Sequence, residues 1–186
     1  MTDAMRLADQ SIRLIPKPLW GLSLASVCLP SSWEPIRQEA IQANSGECCF
    51  AHELGRHDGT LEAHERWEYD LQGRVALKSI WPLCRHCHEL FHPGRVLARA
   101  GQPGLDRLTR RYAATAAIPL GTAQRRYHAA FSNHSIASAI RVWQIDTSTV
   151  SRHFPLKPKK AKEAHISPHQ WKPNPFRPHE ASATSS

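Results

Sequence analysis

The sequence predicts an α+β protein whose centre runs strand, strand, cysteine knuckle and short helix. Three observations carry this. Two strand-like stretches, about residues 60–65 and 74–80, flank the turn Asp70-Leu-Gln-Gly73. Pro82-Leu83 then leads into Leu83-Cys-Arg-His-Cys-His-Glu-Leu-Phe-His92, which reads C-x-x-C-H-x-x-x-H. Helical segments lie on both sides of this unit, and polar sequence dominates from Pro155 onward.

Taken in order, residues 1–30 read as an arm with a short extended segment, punctuated by Pro16, Pro18 and Pro30. Leu19–Leu29 is apolar but short, which suits core better than membrane. A helix is predicted to start at Ser31 or Ser32, with Glu34 placed for a capping box and Pro35 tolerated in the first turn. Trp33, Ile36, Ala40 and Ile41 form its buried stripe, and Asn44-Ser-Gly46 ends it. After the two strands, a short helix is expected over about 87–92, stopped by Pro93-Gly94. Gly101-Gln-Pro-Gly104 separates a short helix from a second over about 105–117, and Thr122 is placed to cap a third reaching about Val142. Trp143-Gln-Ile-Asp146 reads as a last element packing back on the core. The domain is expected to span residues 31–150 around a core at 47–95. In residues 151–186, Pro, Lys, His and Ser displace apolar periodicity, so a disordered basic tail is expected.

The chain has 186 residues, with 24 Lys+Arg against 16 Asp+Glu and a formal net charge of +8. That balance suits a polyanion, and nucleic acid is the default candidate. No apolar run approaches the length needed to cross a bilayer, and the start lacks the apolar segment of a signal peptide. The five cysteines are Cys28, Cys48, Cys49, Cys84 and Cys87. An odd number with one metal-type spacing argues for a reducing compartment and metal ligation rather than disulfides, so a soluble, cytoplasmic protein is expected.

Cys84 and Cys87 need two more ligands to close a tetrahedral zinc site, and no second Cys-x-x-Cys exists upstream. Cys49-x-x-His52 keeps the knuckle spacing with an imidazole in second place, giving Cys49, His52, Cys84 and Cys87 as the preferred set. Cys48 is the alternative to Cys49. A second group is imidazole only. His88 and His92 are four residues apart and project from one face if helical, and His64 lies in an acidic strand between Glu62 and Glu65. A divalent cation among His64, His88 and His92 would leave positions open for water and phosphate oxygens, as phosphodiester cleavage requires.

On these residues, Glu47–Arg95 resembles the HNH nucleases. The zinc-stapled branch carries the C-x-x-C-H-x-x-x-H start seen at Cys84–His92, and the strand Leu-Glu-x-His-Glu-x-Trp at Leu61–Trp67 is similar to bacterial and phage members. Trp143-Gln-Ile-Asp146 also resembles the end of those proteins. The resemblance implies a small ββα-metal (His-Me finger) core stapled by Zn²⁺ and metal-dependent hydrolysis of DNA. In that scheme His64, preferred because imidazole has the better-matched pKa, or else Glu65 activates water, and His88 and His92 hold a cation such as Mg²⁺, Mn²⁺ or Ni²⁺. Arg66, Lys78, Arg85 and Arg95 are the expected DNA contacts.

Three departures stand against the pattern. The upstream knuckle is Cys-x-x-His or displaced. The strand pair is His64-Glu65, which leaves two registers open: His64 as ligand with Glu65 at the base position, or His64 as base with Ala63 at the ligand position. The central asparagine of the pattern has no counterpart, since Lys78 and Ser79 are the polar residues between Ala76 and Leu83. Two other classes therefore stay in view: a degenerate zinc-containing DNA-binding module, and a zinc-stapled protein-interaction domain.

Overall fold

Asp70 folds the central hairpin. Its Oδ1 accepts from the Gln72 and Arg74 N–H groups at 3.0 and 2.9 Å, and Gly73 takes the left-handed conformation at φ +82. A Cβ at Gly73 would meet the Val142 carbonyl oxygen at 2.5 Å, so only glycine lets the chain ahead of the last strand lie this close. The result is an antiparallel pair, β1 (Leu61–Tyr69) and β2 (Arg74–Cys84). β3 (Gln144–Asp146) adds in parallel to β2, giving the order β1-β2-β3. In this computed structural model, residues 7–21, 23–24, 30–50 and 60–146 are described.

Both hairpin strands run further than the turn signals suggest. Arg66 pairs with Ser79 and Trp67 with Leu77, so Lys78 is the unpaired residue of a β-bulge. One extra residue reverses the alternation of side chains along β2. Val75 and Leu77 therefore face one core, with Leu19, Leu24, Ile36 and Trp67. Trp81 and Leu83 face another, with Phe50, Leu90, Phe91 and Tyr112. The sheet is sandwiched, and the bulge passes β2 from one filling to the other.

Helix α1 (Pro30–Ala43) covers the first face through Ile36, which is buried. Its Glu34 does not close a capping box: the carboxylate takes Arg37 and Gln38 instead. On the second face, α2 (Arg85–Leu90) follows β2 without a loop. α3 (Pro93–Thr115) kinks at Gly101 (φ 60, ψ −166), within the Gly-Gln-Pro-Gly separator. α4 (Leu120–Ser138) starts at the Pro119 cap rather than at Thr122. Tyr112 of α3 stacks on Tyr127 of α4 with centroids 5.2 Å apart, and the Tyr127 hydroxyl donates to the Leu90 carbonyl at 3.0 Å. Arg111 reaches back to Glu89 at 2.5 Å, so α2 is tied to both long helices. Among the described residues, no helix is long and apolar enough to cross a membrane. Cys28, His52 and the 151–186 tail lie outside the described residues.

Candidate metal centres

Cys84 closes β2 and caps α2, its sulfur accepting the Cys87 N–H at 3.5 Å, which is the knuckle geometry. The 48–50 segment comes alongside because the Cys49 N–H donates to the Pro82 carbonyl at 2.9 Å. Neighbouring residues in an extended segment point opposite ways, and here Cys48 is the one that turns to the knuckle. The sulfurs of Cys48, Cys84 and Cys87 lie within 4.8 Å of one another, all buried. Cys49 is buried too, but its sulfur is outside this group, so the preference for Cys49 gives way to Cys48. Burial pushes the Cys49 thiol pKa up. Cys48 is instead held down to about 5, first by a hydrogen bond from the Cys87 thiol, and the same bond raises Cys87. Three buried sulfurs at this spacing, one already favoured as thiolate, fit a soft tetrahedral ion. His52, the expected fourth ligand, lies outside the described residues.

The imidazole group assembles around the end of α2. His88 projects from α2, while His92 stands just beyond it, as the cap of α3. The helix expected over 87–92 ends at Leu90 because Pro93 disfavours helical backbone in the residue before it. The two rings still meet, Nε2 to Nε2 at 2.9 Å. His64 arrives from β1, paired opposite Trp81, with ring centroids 5.1 Å from His88 and 5.3 Å from His92. One ring nitrogen from each lies within 4.8 Å of the others.

Burial, then the neighbouring rings, lowers His64 well below the ordinary imidazole pKa. Burial, His88 and Arg95 lower His92 to about 4. Both rings are thus neutral at physiological pH, with a lone pair to offer. Glu62, two residues before His64 on the same strand face, contacts His88 Nδ1. A carboxylate there holds the proton on Nδ1 and leaves Nε2 as the donor atom, the usual outer partner of a metal-bound histidine.

Glu65 points to the opposite face of β1. Its two oxygens accept from the Leu24 N–H and from Trp67 Nε1, each at 2.8 Å, and burial raises its pKa. It anchors the N-terminal segment and does not join the histidines. Lys78 and Arg85 are exposed and do not line the cavity of about 740 Å³ onto which His64, His88 and His92 open, whereas Arg66 and Arg95 border it. Arg66 pairs with Glu68 at 2.9 Å and lies over Trp81 at 5.1 Å. The arm contributes Arg13, Lys17 and Trp20 to the same cavity. No local spacing in the sequence points to those three, because only the fold brings the arm across β1. Glu62 had one signal, its i−2 relation to His64.

No protein-family model, curated protein or solved structure matches this chain.

Proposed function

We propose that the chain is a metal-dependent DNA endonuclease working from a ββα-metal core stapled by zinc. One observation carries the reading: three imidazoles, His64, His88 and His92, converge within 4.8 Å at the edge of a cavity bordered by arginines. These three residues would hold a divalent ion, which would supply positive charge to the phosphate during hydrolysis. The rest falls to the chain. Glu62 fixes the His88 tautomer, burial keeps His64 and His92 unprotonated, and Arg66 and Arg95 hold phosphate in place.

The convergence favours His64 as third nitrogen donor over His64 as proton acceptor, because Phe91 and Trp81 pack around its ring at centroid distances of 5.0 and 6.2 Å. Nitrogen donors favour Mn²⁺, Ni²⁺ or Zn²⁺ over Mg²⁺, which prefers oxygen ligands. The three thiols would hold Zn²⁺ and so fix the turn from β2 into α2.

Supercoiled plasmid incubated with the protein and Mn²⁺, Ni²⁺ or Mg²⁺ tests this. Relaxed or linear product is expected with the nitrogen-seeking ions and not with His88→Ala. A plasmid left intact under every ion, yet shifted on a native gel, replaces the reading with a noncatalytic DNA-binding module. The commitment of both Glu65 oxygens and the absent asparagine favour that second reading.

A further inference from the structure

We propose that the cavity beside the histidines holds a nucleotide whose base is unstacked from its neighbours, so that the DNA engaged is single-stranded or locally melted. The proposal rests on the nuclease reading and names its substrate. Size is the first argument. About 740 Å³ falls within the ~300–1,000 Å³ typical of small-molecule sites. Phosphates on the outside of a duplex need a charged groove and leave such a chamber unused.

The walls are the second argument. Trp20 is 67 % exposed and stacks on His134, with centroids 6.4 Å apart and planes 18° from parallel. An exposed ring braced from behind offers its free face to a base, and every base has a π-face to match. Tyr69 and Phe131 add further aromatic lining. Tyr69 is held in place, since its hydroxyl donates to the Leu14 carbonyl and Arg13 lies 5.8 Å from its ring centroid.

Charge is the third. Arg13, Lys17, Arg66 and Arg95 border the cavity, and the single acidic residue among its lining residues is Glu65, whose oxygens are already engaged. The balance suits an anionic ligand with an aromatic body. Continuity joins the parts. The three histidines open into the same space, so a phosphate near them and its own base in the cavity are covalently neighbouring groups.

Fluorescence anisotropy with the full, zinc-loaded chain and no added divalent ion tests the proposal. The probes are a labelled single strand of about 12 nucleotides, the corresponding duplex, and that duplex with one unpaired nucleotide. The single strand is expected to bind about tenfold tighter than the duplex, with the bulged duplex between them. Trp20→Ala removes the stacking face, and Ala98→Trp fills the cavity from its exposed rim without touching the histidines. Each is expected to weaken single-strand binding about tenfold while changing duplex binding by less than about twofold.

Equal affinity for the probes overturns the proposal, as does a loss shared by both probes or an absence of loss in both variants. Cleavage measured alongside separates the two readings. Plasmid cutting without single-strand preference removes the cavity assignment and leaves the nuclease. Single-strand preference that responds to both variants, without cutting, leaves the cavity assignment and removes the nuclease.

Discussion

The thiol centre and the imidazole centre draw on the same few residues of chain, yet they differ in exposure. Cys84 and Cys87 begin the turn that His88 and His92 complete. The cysteines are sealed, with Cys84 and Cys87 at 0 % and Cys48 at 5 % exposure. The histidines are half-buried and open on a cavity. Structural metal sites close their coordination sphere with protein ligands, whereas catalytic sites keep a position open. On the proposed reading one turn serves both ends: sulfur at its start fixes the backbone, and nitrogen at its finish faces the solvent side. Both centres lie on the same face of the sheet, and depth separates them: the sulfurs sit in the core with Phe50, Leu83 and Leu90, whereas the rings reach the cavity.

The largest effect should come from breaking the sealed centre. Cys87→Ser is expected to abolish zinc binding and lower Tm by at least about 10 °C, because metal-binding free energy in such sites is folding free energy. Elemental analysis and thermal melting read both. Cys48→Ser should behave the same way and Cys49→Ser should keep its zinc; the reverse result would return Cys49 to the site. Next comes the open centre. His88→Ala should lose at least about a hundredfold in cleavage while retaining zinc and a Tm near that of the parent. A joint loss of zinc and Tm there would show that the two centres are not separate.

A smaller and sharper effect is expected at Glu62, which belongs to the open centre without being a ligand. Glu62→Gln should weaken the divalent ion required for cleavage by about ten- to a hundredfold, with activity recovered at higher ion concentration. Zinc content should not move. Lost activity that no ion concentration restores would place Glu62 in the chemical step itself.

How much of this division was legible in the sequence depends on how local each signal is. The cysteine knuckle and the His88/His92 pair are short-range patterns, and both reached the right neighbourhood. The Gly101-Gln-Pro-Gly104 separator also marked the kink in α3. Spacing to His52 ranks Cys49 first, yet which of the adjacent Cys48 and Cys49 faces the knuckle depends on the hydrogen bond from Cys49 to Pro82, a residue distant in sequence. β2 runs past its expected end at residue 80 because the bulge at Lys78 breaks the two-residue period and Pro82 resembles a stop without acting as one. The contribution of Arg13, Lys17 and Trp20 follows from the arm crossing β1, which no local pattern encodes.

Glu65 gives the subtlest test of where the open centre ends. Sequence places it beside His64, at a base position in one register of the resembled family. The strand period sends it to the other face, where the Leu24 N–H and Trp67 Nε1–H hold its oxygens. Glu65→Gln keeps one acceptor and sets an amide donor against a donor, so it should cost about 1–3 kcal/mol, a Tm shift of a few degrees. Cleavage at saturating ion should survive at close to the parent rate, because the histidine group loses no contact. If cleavage falls by orders of magnitude while Tm hardly moves, Glu65 must leave its anchoring contacts during turnover. The boundary between anchoring and chemistry would then run through the N-terminal segment instead of along β1.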